Sequence, residues 1–535
     1  MPERKLAGPW ARGAGALALA LMVALVLGAG RAAAQDDQPP PTPAEEQPEV
    51  LTSGPVNEAF AAPVNIQDQG GVVAPTEPPA PIAETPPADK PAGDQFTWVP
   101  GYWNWDTERT NWIWVSACWR AAPPKMAWVP GYWCRVTTGW QWVPGFWNSA
   151  ADTDLEYLPA PPAPAEIDAP GSPPDWDDTW VPGCWFWVSG RWTMRHGYWL
   201  HQQHGWIWSP AHVGWTPHGY LHCPGHWDLS LERRGVLFAP ILPGRAYLRA
   251  GWRWEPSITI DIKALVNNLF VSPRYCHYFV GDYYDPICAQ HGIFPRGEMN
   301  SHACYDPIYL HATWFHHDDL AGWKAREHQN VELMRSHVEL RPTKTYREQV
   351  TRVARMPEAR RAQASVAQPL SVTMKQSTVI HFERATPEAQ RAIAQQATAQ
   401  HAYRDNRAQW ETGGKTVTTT PAGREHAQPT APATSTGPGR EHTAFNPQPE
   451  PPRGVDRTES ERVHIPAPPV SGASERQPSA KTPPPSPQSE PQGGGEHGGG
   501  GNSGGGGGNS GGGGGHGGGG GGGGNGGGNG GGHGH

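Results

Sequence analysis

The stretch Trp98-Val99-Pro100-Gly101-Tyr102-Trp103 decides how the chain is read, because it returns. It recurs unchanged at 128–133 (WVPGYW), as WVPGFW at 142–147 and as WVPGCW at 180–185. Looser copies stand at 114–119 (WVSACW), 187–192 (WVSGRW) and 222–227 (HCPGHW). The first four copies start at 98, 114, 128 and 142, a period of 14 to 16 residues. Self-similarity at a short period marks a repeat architecture, whose units bury their apolar faces against one another. Of the 27 tryptophans, 21 lie between 98 and 227, so the repeats hold most of the large apolar surface.

Runs such as Trp112-Ile113-Trp114-Val115 are aromatic and β-branched, which suits a pleated, half-buried strand. The Pro-Gly inside each phrase has two readings. It is either the centre of a type II turn, which needs a positive φ at Gly, or a bulge or kink within one bent strand. The bulge is favoured, since one extra residue returns the two flanking tryptophans to one face. The fold class expected is mainly β. Short antiparallel strands form Trp-rich repeats, followed by partly ordered helical segments and long disordered Pro/Gly-rich regions.

The flanks set the domain plan. Residues 1–34 combine a basic start (Arg4, Lys5, Arg12), a small-apolar run at 13–30 and Ala32-Ala33-Ala34, and read as a signal peptide. Residues 35–95 are rich in Pro and acid and are expected to be a disordered linker. Repeat group 1 occupies 96–150, a Pro/Ala linker 151–175, and repeat group 2 with its following strands 176–256. An aromatic α+β extension at 257–317 and a helical extension at 318–412 come next, with Asp318 or Asp319 capping the latter. Residues 413–535, first Pro/Ser-rich and then Gly-rich, are expected to be flexible coil. The 67 Gly and 60 Pro among 535 residues confine the folded part to a fraction of the length.

A net charge of −8 argues against nucleic acid as a partner. No apolar run after the signal peptide is long enough for a transmembrane span. The expected localisation is therefore export to the periplasm, cell surface or medium. Export permits disulfides, but the seven cysteines form no CxxC and their pairing is not legible.

Two constellations carry binding chemistry. Indole faces stack on sugar rings, and Trp105, Trp112 and Trp140, which lie outside the repeated phrase, are candidate groove-lining residues. His201, His204, His222 and His226 belong to a histidine-rich stretch near Cys223 and are candidate metal ligands, since neutral imidazole suits zinc or copper. The bland alternatives are packing for the indoles and substitution of His for aromatics in decayed repeats. There is no GxSxG elbow, P-loop or dinucleotide fingerprint in a supporting context, so neither an enzyme nor a cofactor is expected.

The phrases WVPGYW, WVPGFW and WVPGCW resemble the WxxGxW (YxWGxW) repeat family of bacterial exported proteins. The stretch GHWDLSLERRGVLFAPI at 225–241 is similar to the segment after the repeats in long members. The resemblance implies an envelope or secreted protein without established catalytic residues. The expected function is a non-catalytic scaffold or adhesive module binding envelope glycan or envelope proteins. The alternatives are a histidine-rich metal binder and, less favoured, a glycan hydrolase.

Overall fold

Tryptophans face each other in pairs across the strands of residues 98–227, and this pairing defines the unit of the fold. The computed structural model describes residues 47–66, 71–152, 154–162, 169–298, 304–414 and 460–463. It resolves the repeated phrases into four bent hairpins. In hairpin 1 (96–121), Phe96–Val99 pairs with Cys118–Ala121, and Tyr102–Asp106 pairs with Asn111–Val115. Hairpins 2 (126–149), 3 (178–201) and 4 (206–229) repeat that plan. Trp98 faces Trp119, Trp128 faces Trp147, Trp180 faces Trp199 and Trp208 faces Trp227. Their ring centroids lie 5.0 to 5.4 Å apart in edge-on or tilted contact. Such aromatic pairs add about 0.5–1.5 kcal/mol each beyond the area they bury.

Each hairpin therefore consumes two phrases running in opposite directions. That explains a period of 14 to 16 residues, half the size of the folding unit. It also corrects the alignment of the weaker copies. WVSGRW at 187–192 is a hairpin tip, where Ser189 and Gly190 both take positive φ, as a two-residue primed turn requires. The second arm of hairpin 3 is MRHGYW at 194–199, and the first arm of hairpin 4 is WSPAHV at 208–213.

Pro-Gly sits at the bend of each arm. None of Gly101, Gly131, Gly145, Gly183, Gly197 and Gly225 has a positive φ, so a type II turn is ruled out. The favoured one-residue bulge is not what forms either. Register is lost by two residues on both arms at once, Pro130-Gly131 opposite Pro144-Gly145 in hairpin 2, which makes a symmetric kink. Glycine is needed there because the arms cross in contact. A Cβ on Gly131 would lie 2.7 Å from the Gly145 nitrogen, and one on Gly145 would lie 2.7 Å from the Val129 oxygen.

A kink takes backbone groups out of the ladder, and buried ones must find other partners. Two glutamates supply them. The Glu84 carboxylate accepts from Gly101 N (2.8 Å), Ala117 N (3.0 Å) and the Trp114 indole (2.9 Å) of hairpin 1. Glu58 accepts from Gly131 N (3.3 Å), Gly145 N (3.1 Å) and the Trp142 indole (3.2 Å) of hairpin 2. On the carbonyl side of hairpin 2, Arg407 donates to the oxygens of Pro130 (2.9 Å) and Pro144 (3.5 Å). Its Nε binds Glu411 (2.7 Å), which also accepts from the hydroxyls of Tyr132 and Tyr157.

These partners come from segments whose expected character the structure changes. Residues 47–66 and 71–95, within the expected disordered linker, pack into the core: Leu51, Ala59 and Phe60 are fully buried, and Glu58 and Glu84 nearly so. Composition missed this because a few well-placed apolar and acidic residues suffice when the neighbouring hairpins supply the indoles. The helix Pro387–Thr412, expected to be partly ordered, lies on hairpins 1 and 2 and buries Gln400, Tyr403, Arg407 and Glu411. Leu320–Ser336 is capped by Asp319, which accepts from Gly322 N. Glu461–Val463, inside the expected flexible tail, pairs with Leu155–Leu158. The expected signal peptide at 1–34, residues 163–168 of the middle linker, and 415–459 and 464–535 of the tail lie outside the described residues.

Groups 1 and 2 are bolted together by charge. Arg120 of hairpin 1, wholly buried, holds both oxygens of Asp228 of hairpin 4 at 2.6 Å, and Arg234 reaches the same carboxylate at 2.9 Å. Arg120 and Arg234 also donate to the carbonyls of Ala59 and Phe60. Burial pushes the Asp228 carboxyl up, and the two guanidiniums more than reverse it, so it stays ionised. Beyond the hairpins, Gly235–Leu237 extends the sheet of Cys118–Ala121, and Ile241–Leu242 joins the sheet of Asn111–Val115. His277–Val280 pairs with Leu269–Ser272 and with Gly54–Pro55.

The buried charges generate two predictions. Replacing Asp228 with Asn leaves two guanidiniums facing one neutral amide, and should cost about 3–5 kcal/mol, read as a lower urea midpoint. The second concerns pH. Burial pushes Glu58 and Glu84 up to about 7, against the pull of their N–H donors. The folded chain then keeps protons that the unfolded chain releases above about pH 4.5, so this stabilisation is full below 4.5 and is lost as pH rises through 7. Each carboxyl is worth on the order of 3 kcal/mol over that window. Half-buried His212 and buried His277, both pushed down to about 4, act in the opposite sense as pH falls below about 6.5. The diagnostic is therefore a difference: Glu84→Gln should show a shallower fall in urea midpoint between pH 5 and 7.5 than the parent chain. Parallel profiles would mean that Glu84 does not titrate there.

Candidate functional site

The four hairpins differ most in how deeply they are covered. In hairpin 1, Tyr102–Asp106 is buried along its length, with the N-terminal segment lying over it. In hairpin 3 the strand Cys184–Val188 (CWFWV) is only half-buried, and Val188 is half exposed. Trp180, Trp185, Trp187, Trp192 and Trp199 all keep partial access to solvent. The difference lies in packing: the buried residues of hairpin 3 are Thr179 and Val181, both at its base.

Strand alternation distributes those side chains. Along Cys184–Val188, Phe186 turns toward hairpin 4 and meets the His222 ring at 4.6 Å, while Trp187 crosses to Trp192 at 5.3 Å. Phe186 and Trp187, with Leu221 and His222 of hairpin 4, line an open cleft of about 420 Å³. The rest of its lining is acidic. It comes from Asp152 and Asp154, after hairpin 2, and from Glu156 of the strand Leu155–Leu158, which pairs beside Gly219–Cys223 and buries Leu155 and Tyr157. Phe146 and Asn148 complete it. Aromatic faces together with carboxylate acceptors are the surfaces that a polyhydroxylated ligand uses: CH faces stack and hydroxyls donate. Arg195 sits over the Tyr198 ring at 4.7 Å and near Phe186 at 5.9 Å, holding hairpin 3's aromatic face in place.

The residues singled out from sequence fall elsewhere. Trp105 and Trp112 are buried, packed edge to face at 5.3 Å, and Trp112 meets Trp133 at 4.9 Å. With half-buried Trp140 they belong to a cluster that includes Trp103 and Trp114. Trp105 and Trp112 belong to this core cluster together with Ala74 and Ile82, and Trp140 packs against it. Phe186 and Trp187 went unselected. No local pattern in CWFWV distinguishes it from the covered strands of group 1.

The histidines divide between two places. Exposed His201 lies 3.4 Å from Asp177 and Asp178, and His204 packs on Trp314 at 4.8 Å. His222 lines the cleft, and His226 donates from Nδ1 to the Pro224 oxygen at 3.1 Å. Burial pushes His222 and His226 below the ordinary imidazole range. Among the described residues, the one group of three potential ligands within 4.8 Å is Glu298, His328 and Glu332, at the surface. Arg335 already pairs with Glu298 (2.7 Å) and Glu332 (2.8 Å), occupying the charge a cation would neutralise.

All seven cysteines are free thiols. Burial pushes Cys118, Cys134 and Cys223 up to about 12, so they stay protonated and serve as small apolar side chains. No helix among the described residues is long and apolar enough to cross a membrane. Comparison with protein-family models, with characterised proteins and with solved structures finds no match to this chain.

Proposed function

We propose that the protein is a non-catalytic, exported envelope or matrix component whose second repeat group binds glycan in the cleft between hairpin 3 and the strand Leu155–Leu158. The carrying observation is the asymmetry of the repeats. One group is buried under its own chain, and the other leaves Phe186 and Trp187 half-buried in an open cleft shared with Asp152, Asp154 and Glu156. A protein needing indoles only for packing has no reason to leave those of hairpin 3 half covered, since exposed aromatic area gives up stabilisation of about 25 cal/mol per Å². The basic, apolar, alanine-ended start at 1–34 supports export, as does the resemblance to the WxxGxW repeat family. The metal-binding reading is not advanced, because its four histidines do not converge.

The test uses the full chain in native gels containing soluble neutral polysaccharides, with intrinsic fluorescence recorded in parallel. Glycan should retard the protein and shift its emission saturably. Trp187→Ala should weaken binding roughly fivefold or more, the effect of losing an anchor worth about 1 kcal/mol, without changing the urea midpoint by as much as Trp105→Ala does. Trp105→Ala should unfold the chain more easily and leave glycan affinity per folded molecule unchanged. Equal glycan behaviour of the parent and Trp187→Ala proteins would sink the cleft as the binding site.

A further inference from the structure

The four hairpins share one pairing register, with a two-residue gap on each arm at the kink. Gly101, Gly131 and Ala211 are equivalent on the first arms, as are Ala117, Gly145 and Gly225 on the second. Trp114, Trp142 and His222 also correspond, being the partners of Trp103, Trp133 and Val213 respectively. In hairpins 1 and 2 these three positions aim two backbone N–H groups and one ring N–H at a single carboxylate, Glu84 or Glu58. Hairpin 4 keeps the same frame. A Cβ on Gly145 would lie 2.5 Å from Trp128, 2.7 Å from the Glu58 oxygen and 2.7 Å from the Val129 oxygen. On Gly225 the corresponding neighbours are Trp208 (2.9 Å) and the Ser209 oxygen (3.3 Å). The third is Ala211 N (2.8 Å) instead of a carboxylate.

From this equivalence we infer that the kink of hairpin 4, formed by Ala211, His222 and Gly225, is a receptor for a carboxylate supplied from outside the chain. Three observations support it. His222 Nε2 is buried and has no hydrogen-bond partner among the described residues, whereas the indoles in its place each hold a glutamate. The carbonyl side of the kink is already satisfied, as in hairpin 2: Pro210 and Pro224 accept from Nδ1 of His212 (3.2 Å) and His226 (3.1 Å). What remains is the donor side alone. Alanine in one arm is no obstacle, because Ala117 in hairpin 1 still donates to Glu84 at 3.0 Å. Ala211 and Gly225 are half-buried, while Gly101 and Ala117 are buried, so the kink of hairpin 4 lies nearer the surface than that of hairpin 1. The site shares His222 with the cleft's lining but none of its carboxylates, and the inference stands whether or not the cleft binds glycan.

Selective labelling tests it on the whole protein. With ¹³C-carbonyl proline and ¹⁵N-glycine, only Pro-Gly amides are detected, among them Gly101, Gly131, Gly145 and Gly225. Sodium acetate is titrated against sodium chloride at equal ionic strength. The Gly225 amide should move downfield saturably with acetate alone, while Gly101, Gly131 and Gly145, each already bound to a glutamate, stay still. His222→Phe should shift the titration to higher acetate concentration. If the Gly225 signal instead moves on raising protein concentration without acetate, the carboxylate comes from a second copy of the chain, still from outside. A Gly225 amide unmoved by acetate and by concentration, or moved equally by chloride, overturns the proposal.

Discussion

A strand that bends inside a hairpin must find partners for backbone groups its own ladder has dropped, and this constraint governs the whole architecture. Pro-Gly makes the bend sterically feasible, but Gly131 N and Gly145 N then point inward with no strand opposite. Leaving a buried amide unsatisfied costs about 1–3 kcal/mol, and each hairpin has two such arms. A single carboxylate is an economical answer, since its two oxygens accept several N–H bonds at once. Glu58 and Glu84 are therefore the parts on which the repeats depend. The segment that carries them is fixed by that role more than by its own sparse apolar content.

The same reasoning orders the rest of the molecule. Arg407 takes the carbonyl side of hairpin 2 and so ties down a helix that begins at Pro387 and has little apolar face of its own. The Asp228 carboxylate joins hairpin 4 to hairpin 1 through Arg120, and to the chain after the repeats through Arg234. His277 donates from Nδ1 to the Tyr275 oxygen, which leaves Nε2 to accept from the Tyr102 hydroxyl. Tyr102 in turn accepts from Glu58 N. Indoles supply the apolar mass, and a small set of buried charges decides which segments may cover them.

Much of this was legible and some was not, for identifiable reasons. The strands were readable because Trp-Ile-Trp-Val alternates bulky and β-branched residues. The cap of the helix Leu320–Ser336 was readable as Asp318 or Asp319, and Asp319 takes it. The true folding unit was hidden because both arms of a hairpin carry the same phrase, so self-similarity reports half of it. Residues 47–95 were misjudged because composition averages over neighbours, and Phe60 or Glu84 acts alone at a distance of many residues. The site was missed for a related reason. Which indoles lie open depends on which hairpins the N-terminal segment and the helix Pro387–Thr412 reach, and no local pattern in Trp105 or Trp187 records it.

That distribution also bears on why a chain would keep four hairpins when two form the sealed frame. Hairpins 1 and 2 have both faces of their kinks answered from within, Glu84 and Glu58 on one side and Asn57 or Arg407 on the other. Hairpin 4 answers only its carbonyl side, with its own histidines, and hairpin 3 stays half covered along its outer strands. A rigid frame that presents less-covered copies of its own units offers a ligand the same groups that the frame uses internally: indole faces, ring N–H donors and paired backbone amides. Such surfaces arise by leaving out a covering segment, which requires no new architecture. Binding positions built this way are held by the strands rather than by loops, and so are preorganised before a ligand arrives.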